Sequence, residues 1–144
     1  MASEKFKMPV AAHLLLIKEG KILLLRRFNT GYEDGNYSVV AGHLDGDEDV
    51  KAAMIREAKE EAGIDINPNN LGIVGVMHRK SEVERIDFFL VADSWNNEIV
   101  NMEPEKCDDL SWFEINNLPI NTIPYIKRAI ENYMSGVQFD IYGW

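Results

Sequence analysis

Two rhythms of apolar and polar residues run along the chain. VAAHLLLI and ILLL stand on either side of KEGK and predict strands over residues 8–18 and 21–27, joined by a tight Glu19-Gly20 turn. FNTGYEDGN, residues 28–36, reads as a Gly- and Asn-rich loop, and YSVVAGHL after it as a short strand. The rhythm then changes. Val50, Met54, Ala58 and Ala62 recur at helical spacing, so a helix is expected from near Asp47 to Gly63, where glycine is a natural stop. LGIVGVMHRK and RIDFFLVADSW have the β-branched and aromatic content of an antiparallel strand pair around SEVE. A polar loop, NNEIVNMEPEKCDD, leads to a short strand, LSWFEI. After NNLP, the spacing of Ile123, Ile126, Ile130 and Met134 predicts a last helix over about residues 122–134. No repeat, linker or low-complexity tract interrupts this order, which predicts one α/β domain over residues 1–144.

Composition narrows the picture. The apolar fraction of 46% suits a globular chain with a core. A net charge of −9 argues against a nucleic acid polymer or an anionic membrane surface as partner, since either wants a basic patch. It leaves room for a small phosphorylated ligand, because bridging cations can reverse a local field. The N-terminal KFKMPVAAHLLLI has basic residues before an apolar run, but His13 breaks that run and KEGK stands where a cleavage site would be. No stretch approaches the roughly 18 apolar residues that span a bilayer. Cys107 is the one cysteine, so no internal disulfide can form, and a reducing, cytoplasmic setting is the expectation. A homodimer is compatible with all of this.

Candidate chemistry sits in the first helix. Glu57, Glu60 and Glu61 have the spacing that places side chains on one face, beside the apolar stripe. Most Glu-rich helix faces are only solvated, and they usually mix signs along their length. Here the acids gather at one end, and a glycine-bearing turn leads into the helix. A claw of carboxylates beside an open loop is what a hard cation selects, so a Mg²⁺ site, with Mn²⁺ as an alternative, is expected.

The stretch GHLDGDEDVKAAMIREAKEEAGI resembles the signature of the Nudix hydrolases, G-x5-E-x7-R-E-U-x-E-E-x-G-U, with U a bulky aliphatic residue. Gly42, Glu48, Arg56, Glu57, Glu60, Glu61 and Gly63 match, and Ile64 fills the last U. Seven fixed positions at a background of about 7% each would coincide roughly once in 10⁸ starts, which decides against a merely solvated face. Ala58 departs from the pattern at the first U, and AGH at residues 41–43 departs from the commoner PGG. The flanking strands and the EPEKCDDLSWFEINNLP segment are similar to MutT-like members too.

The resemblance implies the Nudix fold, a mixed β-sheet sandwiched between α-helices, and hydrolysis of a nucleoside diphosphate linked to another group, X. It implies metal ligation by Glu57, Glu60, Glu61 and the Gly42 carbonyl. Arg56 would orient a carboxylate through a bidentate ion pair. Glu48 and Gly63 would support the site. The general base is left open between Glu57 and an acid of EPEK, with Glu105 preferred to Glu103, while Asp108 and Asp109 read as surface residues. For substrate, at most one of Arg26 and Arg27 faces the site, and Arg27 is chosen. Tyr32, Tyr37, Phe88 and Phe89 are candidates to stack on a base, with Phe89 chosen, and Asn121, ahead of Thr122, to read its edge. His43 and His78 need bind nothing. The leading expectation is a nucleoside triphosphate pyrophosphohydrolase releasing the monophosphate and pyrophosphate. An ADP-ribose or other nucleotide-sugar pyrophosphatase is the alternative enzyme. A catalytically silent nucleotide-binding module is the alternative of another class, opposed by the intact set of box carboxylates.

Overall fold

A strand opened at both ends organises the molecule, whose computed structural model describes residues 4–144. The first three residues of the expected domain lie outside the described ones. The strands are β1 (Val10–Lys18), β2 (Lys21–Arg27), β3 (Tyr37–Ser38), β4 (Val40–His43), β5 (Leu71–Lys80), β6 (Glu84–Ala92), β7 (Cys107–Glu114) and β8 (Phe139–Tyr142). The helices are α1 (Val50–Ala62) and α2 (Pro124–Ser135). The strands join in one mixed sheet of order β3-β2-β1-β6-β5-β8, with β4 added to β1 and β7 added to β2.

β1 and β2 form the expected hairpin but stay paired only at Ile17–Ile22 and Lys18–Lys21. Beyond that they part. β1 takes β4 as its antiparallel neighbour from Ala11 to Leu14, while β2 pairs with β7 along its length. The other edge of β1 is held by β6, in parallel from Val10 to Leu16. A gap therefore opens between β2 and β4, and the acidic end of α1 lies beside it.

Alternation along β1 explains the two cores. Ala12, Leu14 and Leu16 pack with Met54, Ala58 and Ala62 of α1, while Leu15 packs with Ile126 and Ile130 of α2. One helix thus covers each face, giving the expected α/β/α sandwich. Ala58, the irregular box position, is fully buried in the first core, and its small size lets α1 lie close to the sheet.

The element boundaries differ from expectation in physically simple ways. YSVVAGHL breaks into β3 and β4, because the chain crosses from β2 to β1 between them. α1 starts after Asp49, whose side chain accepts from Ala52 N–H at 2.9 Å, rather than near Asp47, which is left-handed with φ 57°. β7 begins at Cys107, three residues before the expected strand, since β2 offers it partners that far. β8 was not expected. Its four residues pair in parallel with β5, from Val76–Phe139 to Arg79–Tyr142.

Candidate active site

The Gly42–Ile64 segment is held by one guanidinium. Arg56 meets Glu48 through two parallel contacts, Nε–Oε2 at 3.2 Å and Nη2–Oε1 at 2.8 Å. Its Nη1 donates to Glu57 Oε1 at 2.8 Å, and Nη2 reaches the His43 carbonyl at 3.3 Å. Glu48 also accepts from the Asp45 N–H at 3.1 Å. The turn before α1, the helix and the end of β4 are thereby tied to one side chain. The hydrogen bonds from Arg56 hold the Glu48 carboxyl below its ordinary range.

Gly42 is a matter of space. A Cβ there would fall 2.1 Å from Glu57 Cδ, so Glu57 lies directly against the backbone of β4. Gly63 closes α1 at φ 71°, its N–H bonded to the Lys59 carbonyl at 3.1 Å. The chain then returns along the helix end. Val100 N–H donates to the Ala62 carbonyl at 3.0 Å and Met102 N–H to the Glu61 carbonyl at 3.2 Å. These two bonds use carbonyls that a helix end leaves unpaired, and they bring Glu103 beside Glu61.

Glu57, Glu60, Glu61 and Glu103 line a cavity of about 340 Å³, closed on other sides by Arg27, Val39, Ala41 and Leu110. Enclosure, followed by the hydrogen bond and then the charge of Glu57, pushes the Glu61 carboxyl up to about 9, with a smaller push from Glu103 and against a 3.4 Å bond from Ala41 N–H that favours its charged form. Glu60 is more exposed and lies 3.7 Å from Arg56. Among the described residues no three His, Cys, Asp or Glu side chains converge on one point closely enough to hold an ion. Glu57, Glu60 and Glu61 nonetheless present an oxygen-donor set on one cavity wall. The donor chemistry and the electrostatic stress on Glu61 both fit a hard divalent ion.

The structure separates the remaining candidates. Glu105 is exposed at the crest of a turn closed by Lys106 N–H to the Glu103 carbonyl at 2.8 Å, and it is absent from the cavity wall. Glu103, the acid passed over, is on that wall. The turn aims alternate residues apart, which residue spacing alone does not reveal. Arg27 reaches the cavity, fixed by Nε to the Tyr32 carbonyl at 2.7 Å and Nη2 to Thr30 Oγ1 at 3.1 Å. Arg26 turns away to Asp108 at 2.7 Å. Phe89 is 3% exposed and stacks on His13 with ring centroids 4.8 Å apart, because its register partner on β1 is His13. It is core and offers no face to a base. Tyr37 is likewise buried, edge-on to Phe113. Asn121 donates to the Gly35 carbonyl at 2.7 Å and braces the loop after β2, outside the cavity walls. Asp109 is no surface residue: it is half-buried and accepts from Tyr37 and Ser111 hydroxyls, which hold its carboxyl low.

A second cavity of about 410 Å³ shares Arg27 and Ala41 with the first. Its wall contains residues that sequence reading missed, namely His13, Arg79, Arg85, Asp87 and Tyr125. The signal was present. His13 interrupts the apolar run of β1, Asp87 stands between Ile86 and Phe88 of β6, and the two meet at 3.0 Å.

Comparison with known proteins places this architecture. A family model described as the NUDIX domain matches residues 7–133. The structure is similar to that of a MutT NUDIX hydrolase from Burkholderia pseudomallei, with TM-score 0.80 and 24% identity over 88% of this chain and 98% of that one. The chain belongs to the Nudix family. Among curated proteins it is 35% identical over 122 residues to an NAD-capped RNA hydrolase NudC of Stutzerimonas stutzeri, covering 84% of this chain and 41% of that protein. It is 28% identical over 126 residues to an ADP-ribose pyrophosphatase of Methanocaldococcus jannaschii, covering 87% and 72% respectively. The chain thus spans about two fifths of the length of the first of these relatives.

Proposed function

We propose that this chain is a divalent-metal-dependent pyrophosphohydrolase acting on a nucleoside diphosphate joined to a second group. The observation that carries this reading is the cavity walled by Glu57, Glu60, Glu61 and Glu103, with Arg27 on its rim. Glu57, Glu60 and Glu61, with the Gly42 carbonyl, would hold Mg²⁺ or Mn²⁺. What such cations supply when bound is neutralisation of the diphosphate and a lowered pKa for water. Arg56 keeps Glu57 in one orientation against β4. Arg27 pairs with a phosphate oxygen. Glu103 takes a proton from the attacking water as its oxygen bonds to phosphorus and the bridging P–O bond breaks.

Two cavities meeting at Arg27 and Ala41 leave room for a group at each end of the diphosphate. That favours an ADP-ribose-like or dinucleotide-like substrate, and the names of the two curated relatives point the same way. The nucleoside triphosphate is the second reading, since a cleft with two rooms accepts a ligand that fills one. The charge of −9 favours a small nucleotide over an RNA chain.

The test is a panel of ATP, ADP-ribose and NADH with Mg²⁺ or Mn²⁺ in ¹⁸O water, read by phosphorus NMR. Incorporation of label into one phosphate of ADP-ribose or NADH is expected. No turnover of any compound would sink the hydrolase reading. Glu103→Gln should remove the acidic limb of the pH–rate profile and Glu105→Gln should leave it in place. The reverse result would return the base to Glu105.

A further inference from the structure

The second cavity has an excess of positive charge that its own residues leave uncompensated. Arg79 and Arg85 are direct cross-strand partners in β5 and β6, so their side chains stand on one face of the sheet. Like charges placed opposite each other destabilise a strand pair. Asp87, two residues along β6 from Arg85, shares that face and is the one carboxylate of the cavity wall. It is fully buried and already engaged twice, by Arg79 Nε at 2.7 Å and by His13 Nε2 at 3.0 Å. Arg79 is held further by the Tyr125 ring, 3.6 Å below its guanidinium. Arg85 has no such partner, and its Nε is buried without a hydrogen bond. Arg27 adds a third guanidinium where the two cavities meet.

Arg85 is half-buried, and leaving its Nε buried without a partner beside another arginine is costly, a cost that an anion between them removes. The planar fork of arginine matches phosphate oxygens two at a time, and two such forks with a third at the cavity edge form a clamp. Tyr32, exposed, with Arg27 5.2 Å from its ring centre, supplies an apolar wall. In a chain of net charge −9, a pocket with three arginines and one occupied carboxylate stands apart from the molecule's overall field.

We infer that the second cavity binds a phosphate monoester carried by the X group, so that the substrate is a diphosphate with a further phosphate at its far end. This rests on the hydrolase reading for its catalytic meaning, while the binding itself is independent of turnover. The phosphate could come from the 2′ position of a nucleotide or from the end of a sugar, and both present the same dianion to Arg79 and Arg85.

The experiment is calorimetric titration without divalent cation, so that the carboxylate cavity does not retain phosphate. The probes are adenosine 2′-phosphate with adenosine, and ribose 5-phosphate with ribose. At least one phosphorylated probe should bind, and more tightly than its unphosphorylated partner. Arg85→Gln should weaken it about 10-fold or more, the scale of a lost charged hydrogen bond. Arg85→Lys should recover part of that loss. Which pair responds identifies the source of the phosphate. If neither phosphorylated probe outbinds its partner in the wild-type protein, or if Arg85→Gln binds as the wild type does, the inference fails. The wild-type comparison stands even if Arg85→Gln does not fold. Failure of the NMR panel with binding intact would overturn hydrolysis alone.

Discussion

Single atoms decide the behaviour of the carboxylate cavity. Gly42→Ala would put a methyl group inside Glu57, whose side chain can swing away only by leaving Arg56. The expected result is a modest loss of stability, about 1 kcal/mol, with a rate loss of about 10²-fold or more. Thermal melts and kcat measured together separate the two, and equal losses would mean that Glu57 is not a working residue. Glu60→Gln should cost about 10²-fold in rate as well. An unchanged rate would remove Glu60 from the metal set. The spacing of Glu57, Glu60 and Glu61 was legible because a helix repeats with a fixed angle. That Glu103 and not Glu105 lines the cavity was not legible, because it depends on a turn closed by a backbone bond and on two further bonds to the end of α1.

Elements carry the next layer of specification. Asp49 caps α1 through Ala52 N–H, and Asp49→Ala should cost about 1 kcal/mol in urea unfolding. A loss within error would place the helix start elsewhere. α1 and α2 were readable from periodicity, since each presents one apolar face to a core, while the hairpin was readable from two apolar runs around a turn and β5 from its β-branched content. β8 was not, because both Phe139 and Ile141 are exposed and its place is set by pairing with β5, a long-range event that leaves no local pattern. The break between β3 and β4 escaped for a similar reason. Val39 and Val40 are buried on both sides of it, so hydrophobicity runs through without a mark.

Across the whole molecule, Asp87 joins β1, β5 and β6 under α2. Burial alone would raise its carboxyl, but the hydrogen bonds and charges of His13 and Arg79 outweigh that and hold it below the ordinary value of 3.8. The folded form therefore binds this proton less readily than the unfolded one. The stability that Asp87 contributes is present above pH 3.8 and is lost as pH falls through the lower folded value. Asp87→Asn strands the buried Arg79 guanidinium and weakens the contact to His13, and should cost about 3–5 kcal/mol near neutrality. Its melting temperature should also fall less steeply in acid than that of the wild type. Parallel acid limbs for the two proteins would show that Asp87 does not set this dependence. At the same scale, Mg²⁺ or Mn²⁺ should raise the melting temperature, because an ion bound only by the folded state stabilises it by mass action. The rise should shrink in Glu60→Gln, and a rise of equal size in both proteins would locate the ion elsewhere.

The bonds from Val100 and Met102 to the end of α1 have one further consequence. They tie the main chain at Glu61 to the segment before Glu103, and Asn101 completes the hold by accepting from the Glu103 N–H at 3.1 Å. A ligand entering between these acids finds its walls already positioned, so little conformational freedom is surrendered when it arrives. More of the contact energy then remains for affinity and for alignment of the reacting groups.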